Sequence, residues 1–62
     1  MGAARVRMPV DGAWHTVAAF LTELTGDAKG VEQRVRDGEV RLGDGTQVSD
    51  RTAYLPGQPV YP

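Results

Sequence analysis

Polar and apolar residues alternate from Arg5 to Val10, placing Val6, Met8 and Val10 on one side and predicting a half-buried strand. Proline has no N–H to give a ladder, so Pro9 makes this an edge strand or ends it there. Asp11-Gly12 then supplies a turn. From Thr16 the period changes: Val17, Phe20, Leu21 and Leu24 stand at i, i+3, i+4 and i+7, one apolar stripe on a helix. The Thr16 hydroxyl suits the N-cap and Gly26 the left-handed residue that closes the helix. A second helix follows, with Asp27 as N-cap, Gly38 just past its end and a narrow stripe of Ala28, Val31 and Val35. Within it Glu32 and Arg36 form an i,i+4 pair worth about 0.3 kcal/mol, and Gly30 costs up to about 1 kcal/mol relative to alanine. So short a break makes the two helices pack at an angle as a helix–turn–helix unit.

After Gly38 the period returns to two. Val40 and Leu42 alternate with Glu39 and Arg41, Gly43-Asp44-Gly45 makes a tight turn, and Gln47-Val48 resumes the extended run. Asp-Gly between two short strands is a hairpin signal, because glycine accepts the positive φ of the turn. Ser49–Thr52 reads as a loop, Ala53–Leu55 as extended and Pro56-Gly57 as a type II turn. Pro59–Pro62 reads as a last extended piece. The pattern predicts an α+β fold: two short packed helices followed by a small antiparallel hairpin or sheet, with an N-terminal edge strand, all in one module spanning residues 1–62.

Composition narrows what such a module does. Sixty-two residues bury only roughly 60% of the surface of the unfolded chain, so one small core is expected and a self-contained enzyme with a deep pocket is not. The chain has no cysteine and a single histidine, His15, so neither a disulfide framework nor a Cys/His metal site is expected, and no cofactor. No apolar run reaches the roughly 18 residues of a membrane span. Met1–Arg5 is not followed by an apolar stretch of the kind an export signal carries, which leaves the cytoplasm as the expected compartment. Seven Lys and Arg against eight Asp and Glu give a net charge of −1, without the basic excess usual in nucleic-acid binders.

The ordered motifs nonetheless resemble a family. Two helices, then Asp37-Gly38-Glu39-Val40, a strand, the Gly43-Asp44-Gly45 turn, a strand, and Leu55-Pro56-Gly57-Gln58-Pro59-Val60 look like the αL RNA-binding motif, a domain shared by a small-subunit ribosomal protein and many RNA-modifying enzymes. Gly38-Glu39-Val40 through Gly45, with Asp50, Thr52, Tyr54 and Pro56-Gly57, is similar to the N-terminal extension of large-subunit-type pseudouridine synthases of high-GC bacteria. The likeness covers roughly residues 6 to 62. It implies docking of structured rRNA or tRNA for a catalytic domain in cis, beyond Pro62, because the family's Arg-Leu-Asp catalytic segment has no counterpart here. Two departures weaken the RNA face, one by leaving only Lys29 as a positive charge and one by adding a negative charge. Asp27-Ala28-Lys29-Gly30 stands where the motif opens its second helix with Ser-Arg, and Gly43-Asp44-Gly45 replaces an Asn-Gly turn. Asp27, Asp37, Glu39 and Asp44 thus surround the surface the family uses.

On a helical projection Lys29, Gln33 and Arg36 fall on one stripe opposite Val31 and Val35, and Arg41 on the adjacent strand extends it. These four are the candidate RNA contacts; the plain alternative is a solvated helix face neutralised by Glu32 and Asp37. Arg34 borders the apolar stripe, where its stem can lie on the core. Arg5 and Arg7 read either as a second basic strip or as the solvent side of an edge strand. Trp14 reads as a staple on the helix it precedes rather than a base-stacking platform, and Tyr54 and Tyr61 as cover for the sheet edge. His15 has no nucleophile or metal partner in the sequence near it, and Asp44 and Asp50 read as turn residues. A second function class stays open, a protein-interaction or intramolecular packing domain without nucleic-acid binding. A DNA-reading helix–turn–helix fits less well, since Val31 and Val35 commit most of the second helix to the core.

Overall fold

The computed structural model describes residues 5–62, and the Met1–Ala4 part of the stretch read for an export signal lies outside them. The chain forms strand β1 (Val6–Arg7), helices α1 (Val17–Thr25) and α2 (Ala28–Arg36), strand β2 (Arg41–Leu42) and strand β3 (Pro59–Tyr61). The strands make one antiparallel sheet in the order β1-β3-β2, so the α+β fold holds and β1 is an edge. Register sets Val6 against Val60 and Leu42 against the same Val60, and this row faces the helices. The core is completed by Met8, Val17, Phe20, Leu21, Val31, Val35, Val40, Val48 and Tyr54.

Local chemistry explains each boundary. Thr16 is extended and its Oγ1 accepts from the Ala19 N–H at 3.1 Å, while Gly26 closes α1 in the left-handed region. The Asp27 side chain accepts from the Gly30 N–H at 3.0 Å and starts α2. At the far end the Gly38 N–H reaches the Val35 carbonyl at 3.1 Å and the Glu39 N–H the Arg34 carbonyl at 2.9 Å, a paired closure that needs the positive φ of Gly38, 74°. The hairpin forms as its sequence predicts. Leu42 exchanges bonds with Thr46 and Gly45, Val48 donates to Val40, and Gly45 takes the positive-φ position of a three-residue loop. Gln58 donates to Leu55 around Pro56-Gly57, where Gly57 has φ 80°, as a type II turn requires.

Three apolar expectations are corrected. Val10 is 79% exposed, because the ladder ends before Pro9 and the chain turns from Pro9 to Gly12, breaking the alternation. Leu24 is 53% exposed: Val17, Phe20 and Leu21 complete the buried side of α1, and its last turn, Glu23–Thr25, overhangs the core. Ala28 is exposed in the first turn of α2, leaving Val31 and Val35 as that helix's buried residues. The tyrosines also differ from expectation. Tyr54 is buried in the core, with its hydroxyl donating to the Pro9 carbonyl at 2.5 Å, and Tyr61 lies on the central strand rather than the sheet edge. Ala53 joins the structure through a single bridge to Thr16.

Candidate nucleic-acid interface

Burying Val31 and Val35 turns the other side of α2 to solvent, and Lys29, Gln33 and Arg36 are all exposed there. Two of them already have partners. Gln33 Nε2 donates to both carboxylate oxygens of Asp37, at 3.3 and 3.5 Å, and Arg36 pairs with Glu32 at 3.6 Å. Both members of that ion pair are about 70% exposed, so the pair is screened and readily exchanged for another anion. Lys29 makes no hydrogen bond or ion pair among the described residues. Arg34 and Arg36 sit in the last turn of α2, where the helix dipole favours cations. Arg34 is exposed.

Arg41 does not join that stripe. It stands on the outward side of β2 opposite Tyr61, and its Nη1 donates to the Gly45 carbonyl at 3.2 Å, folding it over the hairpin. The acidic residues are held in place too. Asp27 occupies the first turn of α2 with its own carboxylate, on the Gly30 N–H that an incoming phosphate would seek. Asp44 Oδ1 accepts from the Thr46 N–H at 2.9 Å, and its hydrogen bonds to Thr46 hold the carboxyl below the usual carboxylate range. A negative charge therefore stays at the hairpin tip at neutral pH. Asp44 is thus a turn residue, as is Asp50 in the loop after the hairpin.

Two clefts open on the surface. One, of about 550 Å³, lies between the helices and the return strand of the hairpin, where Thr22, Glu32, Arg36, Gln47 and Asp50 line it over the apolar floor of Val31 and Val35. The other, of about 430 Å³, lies on the outward side of the sheet and includes Arg5, Asp44, Leu55, Pro59 and Tyr61. That side was not visible in the sequence as a unit. Arg5 and Arg7 belong to the first strand and Tyr61 to the last, and only the pairing of residues 6–7 with 59–60 unites them. The local signal, polar residues alternating with Val6 and Val60, was present in each strand.

Trp14 packs with its ring centroid 5.0 Å from Phe20 and 5.5 Å from Tyr54, edge-on and tilted, as a staple on α1. Burial, and secondarily the Asp11 carboxylate, push the Tyr54 phenol above its ordinary value. His15 is exposed, and its backbone carbonyl accepts from Tyr54. Among the described residues no three His, Asp or Glu side chains converge on a metal-sized site, and no helix is long and apolar enough to cross a membrane. The chain matches no protein-family model, no curated protein and no solved structure.

Proposed function

We propose that this chain is an RNA-docking module of the αL type, holding structured rRNA or tRNA for a pseudouridine-synthase catalytic domain in the same polypeptide. One observation carries the reading. Gly38, Gly45 and Gly57 adopt positive φ, in that order, behind two packed helices, at the positions where the resembled motif places its helix end, hairpin turn and final turn. Lys29 and Arg36 on α2 supply phosphate contacts, with Arg36 exchanging Glu32 for RNA, and Gln33 supplies a neutral donor. Arg41 adds a contact from the hairpin side. The module itself carries no catalytic residues and needs no cofactor or metal, and the expected compartment is the cytoplasm.

Fluorescence anisotropy of a labelled stem-loop RNA, titrated over a salt series, tests this. Binding that weakens as salt rises, with a log–log slope reduced by about 1 in Lys29→Glu, is expected. An RNA affinity undetectable even near 50 mM salt would sink the docking role. A second reading has its own support, because Gln33, Arg36 and Arg41 each already contact a group of the chain itself. In that reading the module packs against the catalytic domain and touches no RNA. Lys29→Glu with Arg36→Glu in the full-length enzyme then leaves RNA turnover unchanged, whereas docking requires it to fall.

A further inference from the structure

The outward side of the sheet gathers what the exposed side of α2 lacks, an aromatic ring among cations. Tyr61 is the aromatic of the two outward residues of the central strand, half-buried, with Arg41 opposite it on β2. Arg5 precedes β1 by one residue, continues the register toward Tyr61 and lines the same cleft. Neighbouring strands run about 4.8 Å apart, so Arg5 and Arg41 are the residues next to Tyr61 on either side along the row. Arg7, opposite Pro59, stands one row away and is exposed. Three of the chain's seven cationic side chains thus share one face. The carboxylates near it are Asp44, at the rim of the cleft, and Glu39, which shares the outward side of the chain two residues before Arg41.

Resting on the RNA-docking reading above, we infer that this sheet face holds an unpaired stretch of the RNA, with a base stacked on Tyr61 and the neighbouring phosphates held by Arg5 and Arg41. A flat ring serves any base, and arginines on both sides follow a single-stranded backbone, the combination by which sheet surfaces hold unpaired nucleic acid. Along its length a duplex offers its bases only edge-on, so apart from its end pair it gains nothing from the ring. Charge complementarity selects a polyanion, and the ring selects one with exposed aromatic faces. Arg41 gives up only an exposed bond to the Gly45 carbonyl to take part.

The test compares a blunt two-stranded RNA stem without a loop with the same stem carrying an unpaired overhang of about ten nucleotides. The overhang is expected to tighten binding to the full 62-residue chain. Tyr61→Leu and Arg5→Gln should each weaken the overhang complex about five- to a hundredfold while leaving the blunt stem unchanged. Tyr61→Phe should retain the gain, and because Arg5 is exposed, its variant separates loss of contact from loss of fold. Lys29→Glu should weaken both RNAs. If the overhang adds nothing, or Tyr61→Leu and Arg5→Gln both leave its complex within about twofold, the sheet-face assignment is overturned while docking stands. If no RNA binds at all, both fall together.

Discussion

Gly12 shows how one residue's size is fixed by partners far along the chain. A Cβ there would come 2.3 Å from the Tyr54 hydroxyl and 2.6 Å from the Trp14 ring, so any side chain forces these groups to shift. Gly12→Ala is expected to cost about 1–3 kcal/mol, the range for overpacking a fitted core. Tyr54→Phe removes the bond to Pro9 and costs about 1 kcal/mol. It also removes the nearest obstacle to the new methyl, so the double variant should lose less than the two single losses combined in urea denaturation. A double variant whose loss equals that combination would show that Trp14 alone sets the limit. The same residues mark what a sequence makes legible. Trp14 is readable as a staple because Phe20 lies only six residues on, whereas Tyr54 finds Pro9 across 45 residues, a contact no local spacing announces.

At the scale of an element, caps and turns were legible because each is closed by residues within a few positions of one another. Asp27 and Gly30 illustrate both the rule and its reach. Glycine in the first turn of α2 reads as a weakness, yet a Cβ at Gly30 would meet the Asp27 carboxylate at 2.1 Å, so the small residue makes room for the cap. Asp27→Ala should cost about 1 kcal/mol. Gly30→Ala should destabilise the parent chain, but on the Asp27→Ala background it should add stability, up to about 1 kcal/mol from helix propensity. Thermal unfolding of the four variants checks this reversal of sign; a gain in the parent would mean that the cap moves aside freely. Where elements end over open surface, periodicity misled. Leu24 keeps the spacing of the α1 stripe although about half of it stays exposed, since spacing records direction and not what the neighbouring element covers.

For the whole molecule, stability comes from a single small core. A chain of this length is expected to be stable by about 3–9 kcal/mol, and one deep truncation removes much of that. Met8 is fully buried and its backbone bonds to both Gln58 and Gly57, tying the edge strand to the final turn. Met8→Ala should cost about 2–5 kcal/mol and lower the denaturation midpoint steeply. Val10→Ala, two residues along but exposed, should change stability by less than about 0.5 kcal/mol. Equal effects would place Val10 in the core after all. The α+β class was legible from period changes alone. The sheet order was not, because strands of two or three residues hold no record of their partners, and neither was the basic and aromatic face that this order assembles.

The middle position of β3 also governs the order in which the chain can fold. The helix pair and the hairpin close through contacts between near neighbours, but Val6 meets Val60 across 54 positions. Long-range closures of this kind are slow relative to local ones, and β1 and β2 do not pair with each other. During synthesis the first strand must therefore wait until almost the last of these residues has left the ribosome. Through that interval Val6 and Met8 lack their partners on the final strand, and the arginines on either side of Val6 place charge where pairing with another chain's edge is disfavoured.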